Sequence, residues 1–297
     1  TQFAFFIGYF VFSMPAGAIV SRLGYMRGIV VGLLVMAIGC LLFAPAARMG
    51  VYEGFLVALF IMSGGITILQ VAANAVISIV GPEATSSSRL TLAQAFNSLG
   101  TFIGPFIGAR LILSDSTEAV DISQLSPDQL SAMRIAEAAQ VQTPYLGIAA
   151  LLGVLMLVFW LKRDLLPRTG EAPSKGLGLH LLSNPRLLFG VIAIFAYVGA
   201  EVSIGSVLVN YLSAPERLGA SEQQAGQLVS LYWGGAMVGR FIGAAIMRRI
   251  NPGHILSLFA LGAIALTATS ALTTGFVSAA TLLAVGLMNS IMFPTIF

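Results

Sequence analysis

"KRDLLPRTGEAPSKGLGLHLLSNPR", residues 162–186, is a long basic stretch set between two strongly apolar blocks, and its reading sets the architecture. It carries Lys162, Arg163, Arg168, Lys175 and Arg186 together with three prolines and three glycines. Charges and helix breakers at this density do not lie in hydrocarbon. The stretch is therefore a linker, with five apolar runs before it and four after.

Those runs define the class. The chain has 297 residues, 57% hydrophobic and 9% charged, with mean hydropathy +0.92. Soluble domains carry roughly 25% charged residues. Nine apolar runs, at about 3–20, 28–47, 54–80, 90–113, 143–161, 187–212, 223–247, 254–273 and 278–297, are each long enough to cross a hydrocarbon core about 30 Å thick. The first lacks the basic leader and cleavage site of a signal peptide. The single Cys40 lies inside an apolar run, which removes disulfide frameworks and cysteine metal sites. His180 and His254 fall in loops or at helix ends, away from any Ser/His/Asp grouping or metal-ligand cluster. An enzyme, a cofactor and a metal site are accordingly not expected, nor is a nucleic-acid partner.

Loop charges orient the chain. Ten basic residues, Arg22, Arg27, Arg89, Arg248, Arg249 and the five of the linker, lie on one side. The other side holds Arg48, Arg110, Arg134 and Arg217, with Asp115, Glu118, Asp121, Asp128 and Glu137 in the 114–142 loop. The positive-inside rule puts the first set in the cytoplasm. Thr1 then begins outside, and the last run stops at "FPTIF", so the chain is expected to be a fragment lacking a first helix and whatever follows its ninth. In 114–142, "SPDQLSAMRIAEAAQVQ" reads as a helix with Ser126 as N-cap, Pro127 at the first position and Asp128 in the first turn. Leu130, Met133 and Ile135 give it an uneven apolar face, and a cap over the helix ends is expected.

A weak internal echo supports two similar halves. "GAIVSRLGYMR" (17–27) follows the first run and "GAAIMRRINPG" (243–253) the seventh, each with a glycine on the helix, an Arg five residues on and a short turn. A repeat in one membrane orientation around a long cytoplasmic linker is the pattern of a transporter built of two bundles.

The polar residues inside the runs point to a site. Gln70 and Asn74 are four apart and Gln94 and Asn97 three apart, so each pair shares a helix face. Amides donate and accept, which suits sugar hydroxyls, and they also glue membrane helices together. Ala72, Ala73, Gly100, Gly104 and Gly108 read as close helix packing. Glu201, fifteen residues beyond Arg186, lies about 22 Å deep. A carboxylate there costs about 2.5–3.5 kcal/mol on insertion scales, so it faces the bundle interior and has a partner. Arg240 is eight residues from Arg248, about 12 Å deep, so the two differ by about 10 Å in depth, and a direct ion pair is strained though it stays open as the structural alternative. Tyr197 and Gly205, one turn either side of Glu201, leave an open aromatic-lined face for a sugar ring.

The blocks "PAGAIVSRLGYMRGI", "QVAANAVISIVGPE", "RLTLAQAFNSLG", "AYVGAEVSIGS", "YWGGAMVGRFIG" and "NSIMFPTIF" resemble the fucose/glucose/galactose permease family of the major facilitator superfamily, in register with its second to tenth helices. "GAEVSIGS" and "NSIMFPTIF" are most similar to the bacterial glucose/galactose branch. The resemblance implies an all-α polytopic protein with nine of twelve helices in two bundles: residues 1–161, helices two to six; a linker at 162–186; and 187–297, helices seven to ten. It implies symport of a hexose such as glucose or galactose with a proton or sodium, by alternating access, in a monomer spanning the bacterial cytoplasmic membrane many times. Another small organic solute on the same fold is the alternative. By position, Gln94 and Asn97 match amides lining the fucose permease cavity, and Asn74 matches the asparagine of the "AAN" block. Gln70 stands where fucose permeases have a glutamate tied to proton coupling, and Phe293 where they have a cavity tyrosine. Their first-helix aspartate falls outside the sequence. The expected sugar contacts are Gln70, Asn74, Gln94, Asn97, Tyr197, Glu201 and Asn289; Glu201, which could bind sugar hydroxyls, carry a proton or ligate sodium, is the expected coupling residue, and Arg22, Arg27, Arg240 and Arg248 are expected gating or anchoring residues.

Overall fold

A computed structural model describes residues 2–49, 52–112, 126–166 and 179–297. Among them are nine helices of 15 residues or more and a short tenth: α1 (Gln2–Leu23), α2 (Tyr25–Met49), α3 (Tyr52–Ile79), α4 (Ser86–Ile112), α5 (Pro127–Leu161), α6 (Pro185–Ser213), α7 (Glu222–Ile246), α8 (Pro252–Leu272), α9 (Gly275–Asn289) and α10 (Met292–Ile296). Among the described residues, eight spans are long and apolar enough to cross a membrane, α9 and α10 together forming one of them. The other long helix is α4, whose first half carries Ser86, Ser87, Ser88, Arg89, Gln94 and Asn97. Much of the linker, including Arg168 and Lys175, lies outside the described residues, as do Asp115, Glu118 and Asp121 of the outer loop and the side chains of Gly104, Gly108, Leu130, Met133 and Ile135.

Local chemistry starts and stops these helices. One residue, Gly24 at φ +83°, separates α1 from α2; a Cβ would be strained there, and the chain reverses within a single residue. Asn184 caps α6 by accepting from the Arg186 N–H, and Pro185 occupies the first position, where its missing donor costs nothing. Asn251 and Pro252 repeat the device at α8. Ser221 and Gln224 form a reciprocal capping box at α7. α5 begins at Pro127 and runs unbroken to Leu161. The outer segment at 126–142 is thus the first half of one long helix, not a separate cap, because nothing between it and the fifth apolar run stops helix propagation; Pro144 is carried inside.

The helices divide into two compact units, Thr1–Val76 with Phe106–Leu177, and Ile77–Pro105 with Gly178–Phe297. In the first, α2 packs along α5, with Phe43 stacked on Tyr145 at 3.8 Å. Val20, Met26, Ile29, Leu33, Cys40, Ala72, Ala149 and Leu152 form its core. Glycines bring α2 against α3: a Cβ on Gly32 would lie 2.7 Å from the Leu69 nitrogen, and one on Gly39 2.8 Å from the Met62 Cα. Between apolar helices in lipid, such close approach supplies the van der Waals attraction that the hydrophobic effect cannot.

The second unit uses the same device between α7 and α9. Gly286 lies directly against the Tyr232 carbonyl, Gly239 against Ser290 and Gly243 against Ile291. Leu208, Leu212, Ala225, Tyr232, Ala279, Leu282 and Val285 fill the core. Ala72 is fully buried as the small-residue reading expects, but a Cβ on Gly100 would meet open space, so Gly100 is not a packing glycine here.

Two arginines of this unit are fixed structurally. Arg89 gathers the α3–α4 turn, donating to the Ile77, Ser78 and Pro82 carbonyls and to Thr85 Oγ1. Arg217, after α6, donates to the Ser270 carbonyl at 3.0 Å, the Thr273 carbonyl and Ser278 Oγ, and its guanidinium lies 4.5 Å over the Tyr211 ring. The Tyr211 hydroxyl meets Ser270 and Ser278 at 2.8 and 2.7 Å. Arg217→Ala strips donors from two carbonyls and a hydroxyl at once, and is expected to destabilise the unit by about 1–3 kcal/mol. Thermal denaturation in detergent reads this out. Arg217→Lys recovers only part, since an ammonium lacks the planar fork; an alanine variant melting with the wild type refutes the assignment.

Candidate functional site

α9 is interrupted in the membrane. The run expected to be continuous from 278 to 297 breaks at Ser290 and Ile291 and resumes as α10. The cause is in the sequence: Pro294 has no N–H to offer the carbonyl four residues earlier, which is that of Ser290, and its ring crowds that carbonyl. Non-helical backbone at membrane depth persists only when buried in protein or lining a cavity. Asn289, Ser290 and Ile291 are 5%, 0% and 0% exposed. The freed carbonyls are taken up by side chains: the Tyr197 hydroxyl donates to that of Asn289 at 3.1 Å, and Arg240 Nε to that of Ser290 at 3.0 Å.

Arg240 is the centre of the arrangement. Besides Ser290 it donates from Nη1 to Ser98 Oγ of α4, and its Nη2 stands 3.8 Å from Glu201 Oε1 of α6. Both side chains are nearly buried. This corrects the depth argument, by which a direct pair was strained. Counting residues along a helix locates Cα atoms only, and the long Arg240 and Glu201 side chains span the difference. The pair remains loose. Charged hydrogen bonds run at about 2.7–2.9 Å, and Glu201 Oε1 accepts none from any described residue.

Glu201 and Arg240 line a cavity of about 170 Å³ with Asn97, Ser98, Thr101, Phe102 and Trp233. Asn97 lies on its wall, together with Ser98, Thr101, Phe102 and Trp233, four residues the sequence reading did not single out. The face expected to be open beside Glu201 is covered: a Cβ on Gly205 would lie 2.9 Å from the Trp233 indole, so the glycine is a notch that seats this ring. Tyr197 is buried. The Asn289 amide donates to the Tyr232 hydroxyl at 2.9 Å, which holds the broken end of α9 against α7.

The other candidates lie elsewhere. Gln94 is half-buried on α4 in the same unit. Gln70 is exposed and Asn74 buried on α3, in the first unit. Arg27 reaches Asp164 at 3.5 Å, an exposed pair; Arg22 and Arg248 are exposed at helix ends.

The family model of the Major Facilitator Superfamily matches residues 2–297. The chain belongs to that superfamily. Among its facilitator relatives, a glucose/galactose transporter of Brucella abortus biovar 1 (strain 9-941) is 50% identical over the whole chain, which covers 69% of that protein. A putative glucose/galactose transporter of Helicobacter pylori (strain J99 / ATCC 700824) is 42% identical, with 70% of its length covered. The L-fucose-proton symporter of Escherichia coli (strain K12) is 37% identical over 314 residues, with 69% covered. The crystal structure of the facilitator FucP in the outward conformation superposes with a TM-score of 0.90 at 35% identity, covering 99% of this chain and 73% of that one. The all-α, multi-span facilitator fold is therefore established, and with it the resemblance of the sequence blocks to this group of permeases.

Proposed function

We propose that the chain belongs to a cation-coupled hexose symporter working by alternating access, with glucose or galactose as substrate and a proton or sodium as driving ion. The observation that carries the reading is the cavity of α4, α6 and α7, where an amide, two hydroxyls, two aromatic rings and a mid-membrane carboxylate meet, in a chain half identical to a glucose/galactose transporter. Amides and hydroxyls exchange hydrogen bonds with sugar hydroxyls, an indole or phenyl face covers a sugar ring, and a carboxylate changes state with a cation. Asn97 and Glu201 are the proposed direct contacts in this unit, and Gln94, Tyr197 and Asn289, which lie outside the cavity lining, are its further proposed contacts. Gln70 and Asn74 are the proposed sugar-binding amides of α3 in their own unit. Arg22, Arg27 and Arg248 act as cytoplasmic anchors or gates. The chain divides functionally into bundles at 1–161 and 187–297 joined by the 162–186 linker, and works as a monomer in a bacterial cytoplasmic membrane.

Counterflow of labelled hexoses in proteoliposomes, with sodium and proton gradients imposed in turn, tests this. Saturable exchange of glucose or galactose is expected; exchange of no hexose turns the reading to another solute. Asn97→Ala is expected to raise the half-saturating hexose concentration about tenfold, the loss of one to two hydrogen bonds. An unchanged value removes Asn97 from the site.

A further inference from the structure

Three oxygens from three separate elements surround one guanidinium: the Ser290 carbonyl at the α9–α10 break, Ser98 Oγ of α4 and the Glu201 carboxylate of α6. The guanidinium satisfies the first two by hydrogen bonds and holds the carboxylate only at 3.8 Å. Two oxygens at this place, Glu201 Oε1 and Ser290 Oγ, are buried and accept or donate no hydrogen bond among the described residues. An unmade bond on a buried carboxylate is costly, and the fold keeps it. A carboxylate, an unwound main-chain carbonyl and hydroxyls form the kind of oxygen set that a hard cation takes, and broken membrane helices supply such sets.

We propose that Glu201, Ser290 and Ser98 form a subsite for a small monovalent cation, sodium or a proton, and that Arg240 is its tethered counter-cation, held in place until the ion arrives and displaced by it. The inference rests on the coupling role of Glu201 and adds the competitor. Ion and guanidinium cannot share the carboxylate, because two positive charges at one buried oxygen repel. Displacing Arg240 loosens its bond to Ser98, whose neighbour Asn97 lies on the cavity wall, so the state of the ion reaches the sugar cavity through α4. Around Glu201 the charged group is Arg240 of α7. The other titratable groups are Tyr197 of α6 and Tyr232 of α7, while α4 and the break contribute Asn97, Ser98, Asn289 and Ser290.

The test measures hexose uptake by the intact transporter in proteoliposomes, titrating sodium at fixed pH and then pH without sodium; the arm to which the wild type responds identifies the ion. In that arm Arg240→Gln is expected to lower the half-saturating cation concentration about tenfold or more, since removing an opposite charge this close shifts cation affinity by that order. Arg240→Gln leaves a buried carboxylate alone, so the neutral pair Glu201→Gln/Arg240→Gln serves as the folded control. Cation-dependent thermal stabilisation of purified protein gives a readout free of transport, expected to be larger for Arg240→Gln than for wild type. If Arg240→Gln keeps the wild-type half-saturation within twofold and gains no extra stabilisation, Arg240 is structural and the proposal falls while the symporter reading stands. A wild type that transports hexose but responds to neither ion overturns both.

Discussion

Glu201→Gln is expected to abolish uphill accumulation of hexose while leaving exchange across the membrane measurable. A gradient drives accumulation only if the ion prefers one conformation over another, since a ligand shifts an equilibrium by its differential affinity alone. That requires a group whose free energy changes when the ion binds. Glutamine keeps the size and hydrogen bonding of the side chain but neither takes up a proton nor offers a full negative charge to sodium. The position for which the resemblance to fucose permeases implies a coupling glutamate holds Gln70, on α3, and Glu201 is the mid-membrane acid among the described residues. Sugar binding loses at most a charged hydrogen bond, about 1.5–3 kcal/mol, or roughly tenfold to a hundredfold in affinity. The variant should still fold, because Arg240 keeps its bonds to Ser290 and Ser98. Gradient-driven uptake and equilibrium exchange, measured side by side, decide the matter: retained accumulation with lost binding makes Glu201 a sugar ligand and places coupling elsewhere.

The second large effect is on folding. Gly286→Ala inserts a methyl group onto the Tyr232 carbonyl oxygen, 2.8 Å from its carbon and 3.0 Å from its Cα. Neither helix backbone yields as a side chain would, so α9 must move off α7. The same shift opens the contacts of Gly239 with Ser290 and of Gly243 with Ile291, and pulls the Asn289 amide from Tyr232. Overpacking of a close-fitted interior costs about 1–3 kcal/mol and sometimes more, and Gly286→Leu is expected to yield no folded protein. Gly234→Ala, whose methyl group meets nothing within 4 Å, is the matched control and should melt as wild type. Equal melting temperatures for Gly286→Ala and Gly234→Ala in detergent contradict this account of the α7–α9 interface.

What could be read from the sequence was what depends on one helix at a time. Each of the nine apolar runs coincides with a long helix among the described residues, and eight of them are long and apolar enough to cross a membrane, because length and composition are properties of one segment at a time. Ser126–Pro127 marked a helix start for a purely local reason. The break at Ser290 was equally local: Pro294 stands four residues on, yet the hydropathy of the run masked it. Other features needed a partner. Nothing along α4 distinguishes Ser98, which holds Arg240, from its other hydroxyls, and Trp233 acquires its place only because Gly205 of another helix makes room. The depth count for Glu201 and Arg240 failed because it located backbones and ignored how far an arginine reaches. The amide pairs are legible as shared faces, but a shared face does not name the surface it meets.

The Arg217 cluster and the α9–α10 break lie at different depths of the same helices. With the basic loops inside, Arg217, Tyr211, Ser270, Thr273 and Ser278 join the outer ends of α6, α8 and α9. The break interrupts the hydrogen-bond ladder about 22 Å further in, fifteen residues along α9. Mechanical compliance in this unit is therefore polarised. Its outer third is tied as a collar, and the weak point lies below it, where Pro294 has already cut one rung and two side chains, Tyr197 and Arg240, brace the gap.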